Sequence, residues 1–302
     1  MKRIEFGWIM PSGARPATGR ATYVQDVERG LELIKGHFDS AWIEDHLQFD
    51  DDDLVEGWTA LTYFTARNSS LLFGHAVLCQ SYRNPALVAK MASTLQYLST
   101  GRYILGLGAG WHEREYKAYN YPFPSAGTRV DELEEALQIV KALWTQEGAT
   151  FQGQHYSIAN AYCMPHPDPQ PPIVIAAFSP HMLRLAARYA DWWDIGRVTP
   201  EEYRKYVKNM EQACAEVGRD PLTLGRSCWF ELCSCAATEE RAITQAGWRY
   251  GKEPGFVGTP QQIVEQIRPY IELGVDRLEV GCSGFPDLSS LRLMIAEVLP
   301  AL

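Results

Sequence analysis

The chain has 302 residues, 46% hydrophobic and 22% charged, an ordinary globular composition long enough for two small α/β domains or one large barrel. A net charge of -9 without a long basic run argues against nucleic acid and anionic membrane surfaces as partners. No apolar stretch approaches the ~20 residues that span a bilayer, and Pro and Gly interrupt the opening MKRIEFGWIMPSG too soon for a signal peptide. A cytoplasmic protein with reduced cysteines is expected.

Along the chain, short apolar runs alternate with amphipathic segments. The candidate strands are EFGWIM (5–10), SAWIED (40–45), LLFGHAVL (71–78), YILGLG (103–108), PIVIAAF (172–178), WWDIG (192–196), SCWFELCSC (227–235) and DRLEVG (276–281). They are uninterrupted and bounded by Gly, Pro or Asp, as parallel strands buried on both faces are.

Between them, Asn84-Pro85, Ser179-Pro180, Thr199-Pro200 and Thr259-Pro260 each place a capping side chain before a proline at the first helical position. Glu202 and Gln262 complete capping boxes with Thr199 and Thr259. Apolar residues then recur at helical spacing, for example Val88, Met91, Leu95 and Leu98, and Gly218 and Gly274 stand where C-caps belong.

No linker or low-complexity segment divides the chain. The pattern predicts a single (β/α)8 TIM barrel over residues 1–302, ahead of two doubly wound halves. Two segments exceed the repeat: residues 111–127 after the fourth strand, and residues 146–172 before the fifth, where FQGQHYSI reads as a hairpin.

Three features bear on chemistry. ILGLGAGWHEREY (104–116) resembles a dinucleotide fingerprint, but it follows the fourth strand and has Trp111 at the position of the last glycine. WHEREY opens like a zinc signature, yet Tyr116 replaces the second histidine, so no metal is expected there. Cys228, Cys233 and Cys235 lack a second ligand pair and read as buried structural thiols.

The segment 101–144, with SAWIEDHL (40–47), GHAVLCQSYRNPALVAK (74–90), IAAFSPHMLRLAARYADWWDIG (175–196) and VGTPQQIVEQIRPYIELGVDRLEV (257–280), resembles the luciferase-like flavin-dependent superfamily. Within it the similarity is greatest to the subgroup of oxidoreductases that use coenzyme F420. The resemblance implies an eight-stranded barrel, a deazaflavin across the C-terminal strand ends, and hydride transfer to or from a small organic substrate.

Two alternatives stay open: an FMN-dependent monooxygenase supplied by a partner flavin reductase, and a non-catalytic flavin-binding relative. The resemblance also suggests a homodimer.

Carried over by position, the resemblance makes His46 catalytic, since an imidazole can exchange a proton while hydride moves. Asp45, on the opposite side of the strand, would hold the cofactor or a backbone turn. Ala76-Val77 matches a site where relatives carry a non-proline cis peptide behind the ring. Gly108 and Gly110 would let the ring or its tail approach the backbone, and Ser179 would hold a phosphate at a helix N-terminus.

Two departures stand out. Ala176-Ala177-Phe178 replaces a glycine run, putting close phosphate approach in doubt; Phe178 either shapes the pocket or weakens binding. Trp111 replaces the carboxylate of relatives that oxidise sugar phosphates. With Trp42, Trp8 and Phe178 it suggests an aromatic mouth, unless Trp111 packs under the insertion instead.

Overall fold

The computed structural model describes residues 3–14, 20–49 and 52–302. Its main sheet is built from β1 (Glu5–Ile9), β2 (Ser40–Ile43), β3 (Leu72–His75), β4 (Tyr103–Gly108), β5 (Ile173–Ala176), β6 (Trp192–Gly196), β7 (Gly225–Phe230) and β8 (Arg277–Val280). Each strand pairs in parallel with the next, β8 pairs with β1, and all eight close into a barrel.

The helices between strands start as their caps dictate. Asn84, Ser179, Thr199 and Thr259 each accept from a first-turn N–H, and the last two complete capping boxes. Gly218 (φ 72°) and Gly274 (φ 87°) follow their helices in the left-handed conformation a C-terminal stop requires.

The structure refines three boundaries. LLFGHAVL breaks at a cis peptide between Ala76 and Val77, after which Leu78–Cys79 resumes pairing with β4. SCWFELCSC is two strands: β7 ends at Phe230, and Cys233–Cys235 pairs in parallel with Phe256–Gly258 outside the barrel. Residues 146–172 contain the antiparallel hairpin Ala149–Gln152 with Ser157–Ala161.

Alternation along each strand sorts side chains between two cores. One residue set faces the surrounding helices, as Trp8 does: its ring fills the space that a Cβ on Gly30 would need. The other faces the barrel interior, where Trp42, Ile104 and Val174 cluster with Leu72, Ala76 and Trp192. At this level the Arg277 guanidinium lies 3.8 Å from the Trp192 ring centroid and 5.3 Å from that of Trp42.

Candidate active site

β2 delivers Glu44, Asp45 and His46 to the C-terminal end of the barrel, and the two last diverge. The Asp45 carboxylate is fully covered. It accepts from Cys79 N at 2.9 Å and from both Arg83 nitrogens, Nη1 at 2.7 Å and Nη2 at 2.8 Å. Asp45 thus ties β2 to the turn beyond the cis peptide. Of its two expected roles, these contacts are those of the backbone turn; the cofactor role of Asp45 stays a proposal.

His46 Nδ1 lies 3.0 Å from Glu115 Oε2. A carboxylate only accepts, so Nδ1 carries the proton. Glu115 belongs to the short helix Glu113–Ala118 in the insertion after β4 and is itself buried. It also accepts from Tyr82 Oη at 2.6 Å, Gln48 N at 3.1 Å and Leu47 N.

Burial alone would raise the Glu115 pKa, but hydrogen bonds from His46, Tyr82, Leu47 and Gln48 outweigh it and hold the group at about 2. Burial alone would lower the His46 pKa. The bond to Glu115 and the nearby Glu44 and Asp45 charges outweigh that and raise it above the ordinary imidazole range. Both shifts favour the imidazolium–carboxylate form of the pair at the mouth.

The sequence pointed to His46 and missed Glu115. Glu115 lies 69 positions away, inside the incomplete zinc signature. His112 joins them: His46, His112 and Glu115 each offer a ligand atom, all within 4.8 Å of one another, the one such cluster among the described residues. A metal needs neutral imidazoles and a free carboxylate. Here the raised His46 and the four donors on Glu115 favour a proton over an ion.

The glycines of ILGLGAG serve the protein itself. A Cβ on Gly106 would stand 1.9 Å from the His75 carbonyl oxygen, and one on Gly108 2.7 Å from Val77 Cγ2. These glycines admit the cis Ala76-Val77 bulge. A Cβ on Gly110, at φ 75°, would meet the Tyr116 hydroxyl at 1.9 Å and Cys79 Sγ at 2.7 Å. Neighbouring side chains thus take up the Cβ side of Gly108 and Gly110, and a cofactor approach to their backbone stays a proposal. Ala76 and Val77 remain partly exposed and form a shelf.

The aromatic mouth is smaller than expected. Trp111 is 63% exposed and its ring centroid lies 5.8 Å from His46, 5.0 Å from His112 and 6.0 Å from Phe49. Trp42 is a correction: it is 0% exposed and packs inside the barrel, its Nε1 donating to Ser40 Oγ at 2.7 Å. Trp8 likewise faces the helices. Phe178 is 42% exposed and packs edge-on against Tyr206, apart from the cluster around His46.

Ser179 is exposed and caps its helix, accepting from Met182 N at 3.3 Å. Pro180 has no N–H, and Leu183 N donates to the Ser179 carbonyl at 2.8 Å. The first turn thus has few donors left for an anion. A partly exposed apolar shelf suits a flat ring; the phosphate tail is less well provided for.

A family model described as luciferase-like monooxygenase matches residues 4–254. The chain is 34% identical over 233 residues to the F420-dependent hydroxymycolic acid dehydrogenase of Mycobacterium tuberculosis (strain ATCC 25618 / H37Rv), a match covering 75% of this chain and 62% of that relative. It therefore spans less than two thirds of that protein's length.

Among solved structures, an F420-dependent secondary alcohol dehydrogenase in complex with an F420-acetone adduct superposes with a TM-score of 0.86 at 19% identity, covering 99% of each chain. The monooxygenase RslO1 from Streptomyces bottropensis also gives 0.86, at 18% identity, covering 98% of this chain and 99% of that one. These two likenesses bear on the fold. With the ordered sequence motifs and the match over residues 4–254, the chain belongs to the luciferase-like monooxygenase family.

Proposed function

We propose that this chain is an oxidoreductase that moves a hydride between coenzyme F420 and a small organic substrate, with His46 at the reacting atoms and no metal ion. The observation that carries the reading is the His46–Glu115 pair at the C-terminal strand ends, beside the Ala76-Val77 shelf. Relatives whose names specify F420 support the choice of coenzyme.

The bound coenzyme would supply or take the hydride. Ala76 and Val77 would back its ring, and Ser179 would meet its phosphate. With Nδ1 committed to Glu115, His46 Nε2 is the nitrogen left for a substrate or coenzyme atom, where a charged imidazole stabilises developing negative charge. Trp111 and Phe49 supply an apolar wall against the substrate.

The chain is read as one domain, 1–302, acting in the cytoplasm; no helix among the described residues is long and apolar enough to cross a membrane. A homodimer is part of the reading. Leu87 and Leu98, 51% and 68% exposed on one face of the helix Pro85–Leu98, support it, and light scattering in solution tests it.

The test of function is separate titration of the purified protein with F420 and with FMN. Saturable F420 binding, with His46→Ala lowering kcat by ~10²–10⁴ and leaving cofactor affinity nearly unchanged, is expected. Tight FMN binding without F420 binding would replace the reading with a monooxygenase fed by a flavin reductase. Binding of neither would make the chain a non-catalytic relative.

A further inference from the structure

We propose that His46, His112 and Glu115 form a site for one zinc ion at the mouth of the barrel, and that zinc bound there switches the enzyme off. The second half rests on the hydride-transfer reading above; the first does not.

WHEREY is one imidazole short of a zinc signature, because Tyr116 stands at its last position. The fold supplies the missing imidazole from β2. His112 directly precedes the helix Glu113–Ala118, and Glu115 follows it at i+3, so both side chains share one face. His46 reaches that face from beyond the end of β2.

The distances are those of a loose tetrahedral edge. His46 Nδ1 lies 3.0 Å and His112 Nδ1 3.8 Å from the same oxygen, Glu115 Oε2, and the three ligand atoms all lie within 4.8 Å of one another. Tetrahedral zinc with bonds of about 2.0–2.1 Å sets its ligand atoms about 3.4 Å apart, between the first two distances. His112 Nδ1 is buried and makes no hydrogen bond among the described residues. Such a nitrogen is costly to leave unpaired, and a cation beside it would satisfy it.

The surroundings suit a ligated ion. Glu115 Oε1 accepts from Gln48 N at 3.1 Å and from Leu47 N, and Oε2 accepts from Tyr82 Oη at 2.6 Å. These donors fix the carboxylate, as the groups behind a metal ligand do. Phe49 stacks on the His112 ring at 4.6 Å between centroids and meets His46 edge-on at 4.7 Å, which steadies both imidazoles. Two imidazoles and one carboxylate are a donor set for zinc, whereas magnesium and calcium take oxygen ligands. Three protein ligands leave a fourth position open.

The proton on His46 Nδ1 is the resident occupant, so the ion enters as a competitor. Zinc takes the electron pair that the Nδ1–H bond releases, and the proton leaves to solvent; nothing is oxidised or reduced. The exchange breaks the His46–Glu115 hydrogen bond, which holds the imidazole at the reacting atoms, and turnover stops.

Two measurements test this, on variants whose fold is checked by circular dichroism. The first is calorimetric titration of the untagged, cofactor-free protein with zinc chloride. One ion per chain should bind, and magnesium chloride should give no saturable heat. His112→Phe, which keeps the ring against Phe49 and the His46–Glu115 bond, should weaken zinc binding by more than ~100-fold, and Tyr82→Phe by ~10–100-fold. No saturable zinc binding, or equal affinity in the wild type and His112→Phe, overturns the site. Should His112→Phe not fold, X-ray absorption of the zinc-loaded wild type decides: two imidazole nitrogens at about 2.0–2.1 Å are expected, and fewer than two overturn the site.

The second is reduction of a panel of short-chain ketones by reduced F420 as zinc is added. The wild-type rate should fall with a midpoint at the calorimetric Kd and return with EDTA. His112→Phe should hold its own zinc-free rate at that concentration. Zinc that binds without slowing turnover overturns the inhibition. A wild type that oxidises no reduced F420 overturns the hydride-transfer reading and the inhibition together; calorimetry and X-ray absorption then still decide the site.

Discussion

Glu115 at the mouth and Glu279 in the middle of the barrel are almost equally hidden, at 1% and 0% exposure, yet they ionise in opposite directions. Glu115 receives donors from His46, Tyr82, Leu47 and Gln48 and stays charged down to about 2. Glu279 has no hydrogen bond among the described residues, and burial, with Asp194 adding to it, pushes its pKa well up.

Its ion-pair partner, Arg277, stands 4.0 Å away. The Arg277 Nε and Nη2 donate to Glu5 at 3.0 and 2.9 Å, and its plane is held by Trp42 and Trp192. Burial is common to both carboxyls; the count of donors aimed at each decides the charge. The barrel's middle therefore favours a neutral acid, while its mouth favours an ion pair.

The largest expected effect comes from removing the donors' target. Glu115→Leu leaves His46, the Tyr82 hydroxyl and two backbone N–H groups without their acceptor, and should cost about 3–5 kcal/mol in denaturant unfolding. The parent's Glu115 contribution is present above the unfolded pKa of 4.5 and is lost as pH falls towards about 2. An unchanged acid limb in Glu115→Gln would show that the group is not held charged.

Glu279→Gln should act in the reverse sense. A raised carboxyl pKa means that stability falls as pH climbs above the unfolded value, since the folded state keeps the proton longer. The amide has no charge to hide. The variant should match the parent near the unfolded carboxyl pKa and exceed it at neutral pH by on the order of 1 kcal/mol. A loss of stability at neutral pH would mean that the Glu279 charge is compensated after all.

The comparison sharpens at His46, read by NMR of its ring protons. Its pKa, raised by the Glu115 bond and the Glu44 charge against the effect of burial, should fall in Glu115→Gln. The stability it contributes is complete below the unfolded imidazole pKa and is lost as pH rises through the folded one. An unmoved titration in the variant would remove Glu115 as the group that orients His46.

The smallest effect is expected at Trp111, whose ring is 63% exposed and touches only other residues of the mouth. Trp111→Ala should change stability by less than about 0.5 kcal/mol while raising KM. A larger loss of stability would mean that the ring packs the insertion rather than facing a ligand.

Much of this was legible in the residues alone. Alternating apolar runs and Pro-led capping boxes act within three or four positions, so strands, helix starts and the barrel could be read locally. The ends of strands are where barrels place their sites, which was enough to single out His46. Splitting of SCWFELCSC was not legible, because the strand continues in apolar content while the backbone leaves one sheet for another.

Sequence also fixed the glycines of ILGLGAG, but the protein atoms they accommodate, Val77, Tyr116 and Cys79, come from elsewhere in the fold. The alternation of SAWIED implied opposite faces for neighbours without saying which face the barrel would enclose, so Trp42 was expected at the mouth and lies in the interior. Which charges meet was decided only by closing the barrel. His46 finds Glu115 across 69 positions, and Arg277 finds Glu5 across 272. Local propensity carries no information about such pairs; their distance and burial exist only once β1 has paired with β8.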